Sequence, residues 1–181
     1  MRIIAGSLKG RRLDAPKWNG LRPTSDKLRE TLFNILATRV AGSRVLDGYA
    51  GTGAVGLEAL SRGAAHVTFV EKDPRAARLI RANLDRCGID ERHVIIRAGV
   101  AETARRLSDE TFDIIFLDPP YGASGLDEAL TTAAALAGEA TVVVIEHAAR
   151  DAAPARSGTL SRLRQVRSGD SALTFYRRTG P

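Results

Sequence analysis

The chain has 181 residues, 44% of them hydrophobic, with a formal net charge of +6 and one cysteine. That length and apolar content allow a single domain with a substantial core, and no apolar run approaches the roughly 20 residues of a membrane span. Cys87 alone allows neither a disulfide framework nor a cysteine-based metal site, and His66, His93 and His147 show no ligand spacing, so no metal is expected. The first residues, Met1 to Gly6, lack the apolar core and cleavage site of a secretory leader, so a soluble, cytoplasmic protein without membrane contact is expected.

The charge is unevenly placed. Residues 1–40 hold Arg2, Lys9, Arg11, Arg12, Lys17, Arg22, Lys27, Arg29 and Arg39 against Asp14, Asp26 and Glu30, so this stretch carries the whole net charge of +6. Such asymmetry suits a polyanionic partner. It also suits a merely well-solvated surface rich in arginine.

In chain order, 2–4 and 11–13 flank a turn-rich segment and predict a small hairpin, so 1–24 is expected to form a basic extension and 25–181 the main domain. Trp18 in the extension could stack on a base or anchor the hairpin. Residues 20–26 lead into a helix over 26–37, capped by Thr24 or Ser25, and could also form a lid or a partner-facing arm. In that helix Leu28, Leu32, Ile35 and Leu36 share one face and Lys27, Arg29 and Glu30 lie elsewhere.

From residue 43 short β-rich runs at 44–47, 66–71, 94–97, 113–118 and 141–147 alternate with helical stretches at 53–62, 74–87, 100–107 and 126–137. This alternation predicts a parallel sheet wound with crossover helices. Asp73 suits an N-cap, Pro74 the first helical turn and Gly88 the helix exit. Strands at 160–167 and 172–178, separated by Ser168, Gly169, Asp170 and Ser171, predict a closing antiparallel hairpin. The chain shows no repeat, low-complexity tract or long linker.

Between the first strand and its helix, Gly51, Gly53 and Gly56 match G-x-G-x-x-G, and Glu71 ends the next strand where a ribose diol would need an acid. Asp47 beside that helix start would repel a pyrophosphate. S-adenosyl-L-methionine has no phosphate and carries an ammonium and a sulfonium, so the carboxylate favours the methyl donor over a dinucleotide. The expected donor-binding set is Asp47, Gly48, Tyr49, Ala50, Gly51, Thr52, Gly53, Glu71, Lys72, Gly99, Val100 and Asp118.

Asp118, Pro119, Pro120 and Tyr121 follow the apolar run 114–117. The prolines end the strand and stiffen the loop beyond it. Asp118 and the Pro119 carbonyl could then accept both hydrogens of an exocyclic amine while Tyr121 stacks on its ring. An ordinary chain breaker would read the same way.

The segments 1–6, 21–24, 29–34, 46–47 with 50–54, 56–64, 118–121 and 169–173 together resemble the RsmD family, bacterial 16S ribosomal RNA guanine-N2 methyltransferases, nearly end to end. The resemblance implies a Rossmann-like methyltransferase fold: a seven-stranded, mostly parallel α/β sheet with an antiparallel C-terminal hairpin, preceded by a small N-terminal hairpin that helps engage RNA. It implies S-adenosyl-L-methionine as donor and a guanine of small-subunit ribosomal RNA as acceptor, within an assembling or assembled 30S subunit. Carried over by position, Asp47, Gly51 and Gly53 line the methionine portion, Glu71 binds the ribose, and Asp118 to Tyr121 hold the base. Arg2, Lys9, Arg11, Arg12, Arg22, Thr24 and Tyr121 are the expected RNA contacts. Two positions depart from the family: Gly48-Tyr49, where a bulkier residue and Phe are more frequent, and Ala98-Gly99-Val100, which lacks the aspartate that usually contacts adenine.

The expected chemistry is direct transfer to an unpaired guanine N2 by a monomer. The rival readings are a DNA amino-methyltransferase acting on adenine or cytosine, and a non-catalytic RNA-binding assembly protein.

Overall fold

A computed structural model describes residues 1–16, 18, 24–120 and 122–179. Five parallel strands, β1 (Arg44–Gly48), β2 (His66–Val70), β3 (His93–Ile96), β4 (Ile114–Leu117) and β5 (Val142–Ala148), alternate with α2 (Ala54–Ser61), α3 (Pro74–Cys87), α4 (Val100–Arg106) and α5 (Ala123–Leu136), after an initial helix α1 (Asp26–Leu36). The chain closes with β6 (Arg156–Ser157), β7 (Leu160–Ser168) and β8 (Ser171–Arg178), in the sheet order β3-β2-β1-β4-β5-β8-β7-β6. β8 is antiparallel to β5, and β7 to β8. The two-residue β6 on the outer edge is the one strand beyond the seven expected. It is too short to leave an alternating pattern in the sequence.

Strand order reverses between β1 and β4, and at such a switch point a crevice opens at the carboxyl ends of the strands. The central strands β1, β2, β4 and β5 are buried on both faces, as near-continuous apolar strands such as β4 require. Leu28, Leu57, Ile80 and Leu84 of α1 to α3 pack on one face with Phe116, Val144 and Phe175. Leu107, Leu126, Leu130 and Ala133 pack on the other with Ile115, Val143 and Tyr176.

Asp73 caps α3 by accepting from Arg75 N at 2.8 Å, and Gly88 leaves it at φ 69. Ser25 is the cap of α1, accepting from Leu28 N at 3.2 Å, and Thr24 is used elsewhere. α5 starts earlier than its apolar periodicity indicates, because Gly125 brings its first turn onto the Pro-Pro loop: a Cβ there would stand 2.4 Å from the Pro120 carbonyl oxygen.

The N-terminal residues form a hairpin with one bridge, Arg2 to Arg12, and main-chain bonds from Ile3 N to Arg11 O and from Leu13 N to Met1 O. Ile3 and Leu13 belong to the main core. The arm lies along α2: Glu58 accepts from Ile4 N at 2.8 Å and Ala5 N at 3.0 Å, and Ser61 O from Ser7 N at 2.8 Å. Arg29, which periodicity placed among the polar positions of α1, is instead fully buried. It donates to Arg2 O at 2.5 Å and Asp26 Oδ1 at 2.9 Å and sits 3.7 Å from Glu58. A 3.6-residue pattern cannot foresee this, since the arm that receives the guanidinium lies outside the helix.

Candidate active site

β1 carries Val45 and Asp47 toward the α1–α2 face, and the chain then turns sharply. At Gly48 a Cβ would stand 2.3 Å from Leu117 Cδ2, so glycine lets β1 and β4 meet here without moving that side chain. Tyr49 adopts φ 59, and Gly51 and Gly53 follow at φ 55 and 75. A non-glycine residue in that region is uncommon and is held only where its surroundings over-determine it. Here the holding bonds are Ala50 N to Val70 O at 3.0 Å, Gly53 N to Ala50 O at 2.7 Å and Gly51 N to Glu71 Oε2 at 2.8 Å. Asn83 of α3 braces the same loop from behind, donating to Thr52 O at 3.1 Å and accepting from Asp14 N at 2.7 Å.

The Asp47 carboxyl is 1% exposed and its Oδ2 accepts from Gly56 N at 2.8 Å. Burial pushes its pKa up to about 8, aided by the charge of Glu71 and opposed by the Gly56 N–H. Glu71 receives Gly51 N on one oxygen and Asp73 N on the other, so its orientation is fixed by the backbone. Tyr49 is pushed up to about 12 by burial and then by the charge of Glu128, which keeps the phenol neutral at physiological pH.

A cavity of about 760 Å³ runs over this edge of the sheet, lined by Asp47, Tyr49, Ala50, Gly51, Thr52, Glu71, Lys72, Asp118, Pro119, Pro120 and Thr24. A side lobe of about 270 Å³ is lined by Gly99 and Val100 together with Tyr49, Glu71, Lys72 and Pro120. Gly48 and Gly53 shape the loop without lining either space, and the other expected donor and base residues among those described line one or both of the two cavities, which share Tyr49, Glu71, Lys72 and Pro120. Tyr121 and Arg22 lie outside the described residues. Arg2, Lys9, Arg11 and Arg12 are exposed on the arm and do not line the cavity.

The far wall adds Glu146 and the β7–β8 hairpin tip to the residues expected at the site. Glu146 of β5 lines the cavity at 4% exposure, and its Oε2 accepts from Thr24 Oγ1 at 2.9 Å. Ser168 to Ser171, the tip of the β7–β8 hairpin, closes the same end. Gly169, at φ 61, gives that tip the positive φ of a two-residue loop. Trp18 also lines the cavity, with the Arg75 guanidinium 5.2 Å from its ring centre, so a protein cation occupies one face of the indole. An acid in the otherwise apolar run 142–146 was the available signal for Glu146. Thr24, expected as an RNA contact, does line the cavity, whereas the tip, read as a hairpin turn, reaches it only through tertiary packing.

Among the described residues no group of three His, Cys, Asp or Glu is placed to hold a metal ion, and no helix is long and apolar enough to cross a membrane.

A doubly wound sheet whose first loop is glycine-rich, beside an acid followed by two prolines at the end of β4, defines a Rossmann-like methyltransferase. The comparisons agree with that class. Residues 1–177 match the family described as Conserved hypothetical protein 95. The chain belongs to that family, the RsmD family of the sequence resemblance. Its relatives include the ribosomal RNA small subunit methyltransferases D of Haemophilus influenzae, 40% identical over 72% of this chain and 69% of that one, and of Escherichia coli K12, 35% identical over 98% and 90%. The solved structure of yhhF from Escherichia coli superposes with a TM-score of 0.83 at 31% identity, covering 98% of this chain and 97% of that one. SMU.776, solved in complex with SAH, shares the fold with a TM-score of 0.70 at 17% identity, over 86% of this chain and 50% of that one.

Proposed function

We propose that this protein transfers a methyl group from S-adenosyl-L-methionine to the exocyclic N2 of a guanine in small-subunit ribosomal RNA, in the cytoplasm, on an assembling or assembled 30S subunit. The observation that carries this reading is the single cavity in which Asp47 and Glu71 stand at one end and Asp118 with Pro119 further along. The names of the relatives support the RNA as acceptor.

The residues present fit the donor. Asp47 suits a cationic amino-acid head, Glu71 a ribose diol, and the lobe beside Gly99 and Val100 a flat adenine. Gly99 has open space where a Cβ would stand, so its lack of an acid is no steric demand. Glu128, across the same lobe, offers a carboxylate to the adenine amine instead. When bound, the donor supplies an electrophilic methyl on sulfonium.

The protein's part is positioning. Asp118, half-buried, and the carbonyl of buried Pro119 accept the two hydrogens of the guanine amine and aim its lone pair. Tyr121 supplies the stacking surface that holds an extruded base. Residues 1–24 form the RNA-engaging extension, with Arg2, Lys9, Arg11, Arg12 and Arg22 on phosphates and Thr24 at the cavity. The acting form proposed is a monomer.

The test is mass-spectrometric mapping of methylated nucleosides after reaction with naked small-subunit RNA, assembled subunits and plasmid DNA. N2-methylguanine at one RNA position is expected. Methylated adenine or cytosine in DNA would replace this reading with a DNA enzyme, and donor binding without any product would replace it with an RNA-binding protein.

A further inference from the structure

Outside the N-terminal arm, positive charge is concentrated at the other end of the chain. Residues 154–181 hold Arg156, Arg162, Arg164, Arg167, Arg177 and Arg178 against Asp170 alone, a net +5, whereas residues 41–153 hold 12 basic and 17 acidic residues. All six arginines lie exposed on β6, β7 and β8. Arg162 and Arg178 also donate to Ala153 O at 2.8 Å and Ala137 O at 3.0 Å. The ion pairs among the described residues engage Arg29, Arg44, Arg62, Arg75, Arg86 and Arg106, and none of these six.

The sheet gives that charge a direction. β4 ends with Leu117 opposite Ile145, but β5 runs three residues further, to Ala148 opposite Ser171 of β8. At about 3.3 Å a residue, the β7–β8 ribbon stands about 10 Å beyond the strand end that delivers Asp118. Its tip lines the cavity; Arg167 pairs with Ala172 beside that tip, and Arg164 with Phe175 three residues back. β6 covers only Leu160 and Ser161, so the rest of β7 has no strand on its outer side. Charges on an open edge deter pairing with another chain. That does not account for Leu163, 50% exposed at the bulge between Arg162 and Arg164, because an apolar side chain there invites the contact that edge charges prevent. Arginines with an apolar side chain among them suit a nucleic-acid strand, with phosphates on the guanidinium groups and a base or sugar against the leucine.

We propose that the β7–β8 ribbon is a second RNA-docking surface, on which Arg164 and Arg167 hold phosphates of the strand flanking the target base and Leu163 packs against that strand. This rests on RNA as the acceptor and goes beyond it, since the arm was the only part of the chain assigned to phosphates. The arm lies along α2, which packs on β1 and β2. β7 is four places from β1 in the sheet, about 19 Å at about 4.8 Å per strand. The two basic elements therefore grip the RNA on opposite sides of the cavity, and a base drawn from between them faces Asp118 and Pro119.

The experiment measures binding to small-subunit RNA over a range of salt concentrations, with the RNA naked or assembled, whichever form the wild-type enzyme modifies. Arg164→Gln combined with Arg167→Gln should weaken RNA binding by roughly tenfold or more at physiological salt and make the slope of log affinity against log salt shallower by about 1.4–1.8, the loss of two phosphates. KM for the RNA should rise, and donor affinity by calorimetry should stay at the wild-type value, which also reports that the variant is folded. Arg164→Glu combined with Arg167→Glu keeps the open edge charged against self-association and should bind RNA more weakly still. Wild-type affinity and slope in both pairs would reduce the arginines to edge protection and overturn the proposal. Weakening in the glutamate pair alone would trace to added repulsion and overturn it as well. Wild-type enzyme that modifies plasmid DNA and neither binds nor modifies the RNA would overturn the RNA reading beneath it, and shows before any variant is made.

Discussion

The two ends of the cavity are built in opposite ways. The end proposed for the donor's amino-acid head and ribose is local: Asp47, the loop from Tyr49 to Gly53, and Glu71 come from one strand–turn–helix–strand unit, and the loop is held by main-chain bonds, left-handed residues and the Glu71 carboxylate. The acceptor end is assembled from side chains distant in the chain: Thr24 before α1, Asp118 and Pro119 after β4, Glu146 in β5 and the hairpin tip at Ser168 to Ser171. A local turn can be specified by glycines and one acid, and it suits a ligand that is the same for a whole class of enzymes. The distributed wall can change one residue at a time, so selectivity for the acceptor belongs there.

Replacing a residue at each end should separate the two halves. Asp118→Ala is expected to have the largest effect, lowering kcat by about 10²–10³-fold, comparable with loss of a group aimed at the reacting atoms. Donor affinity measured by calorimetry should stay within a few-fold of wild type. A parallel loss of donor affinity would show that the two ends are one unit and end the comparison.

Asp47→Asn is the mirror experiment. The amide oxygen can still accept from Gly56 N, so the loop should keep its shape. Losing a charged acceptor costs about 1.5–3 kcal/mol, or roughly ten- to a hundredfold in donor affinity. At saturating donor, kcat should remain near wild type.

The pH dependence tests the same carboxyl without mutation. Its proton is held more tightly in the folded chain than its ordinary value allows, so through this group the ligand-free fold loses stability as pH rises from the usual carboxylate range toward about 8. A cationic donor binds the ionised form and expels that proton. Donor affinity should therefore climb with pH, approaching tenfold per unit below about 8, and level off above it. Calorimetry in two buffers of different ionisation enthalpy should detect about one proton released per donor at pH 6–7, and Asp47→Asn should abolish it. An affinity constant over this range would mean that no cation meets Asp47.

The contrast between the ends also governs what could be read from the sequence. Gly51, Gly53, Gly56, Asp47 and Glu71 lie within a short window, and each is nearly dictated by a turn, a close approach or a ligand charge. Gly56 shows the strictness: a Cβ there would stand 2.2 Å from the Phe69 ring. The strand and helix order was legible for the same reason, since apolar period and caps are local. At the acceptor end Asp118, Pro119 and Pro120 announced themselves, because prolines mark a strand end, while Thr24 came only with the family resemblance. Glu146 gave one weak sign, an acid in an apolar strand. The bond from Thr24 to Glu146 and the burial of Arg29 under the arm depend on which segments the fold brings together, and no spacing along the chain encodes that.

The smallest expected effect lies outside the cavity, on the arm. The arm runs beside α2 from Met1, whose Sδ is 3.8 Å from Thr52 Oγ1, to Ser7 and Leu8 at Ser61. Eight residues of helix span about 12 Å. Lys9 at the arm's tip thus belongs to the end of α2 remote from the glycine loop. A phosphate contact there carries no base information, so Lys9→Ala should weaken RNA binding by a modest factor, uniformly across sequences. The slope of log affinity against log salt should become shallower by about 0.7–0.9 if one phosphate is lost. With kcat and the guanine preference unchanged, the arm acts as an electrostatic clamp separable from both ends of the cavity. A shift in base preference instead would mean that RNA held at the arm sets how the base enters, and selectivity would no longer reside in the acceptor wall alone.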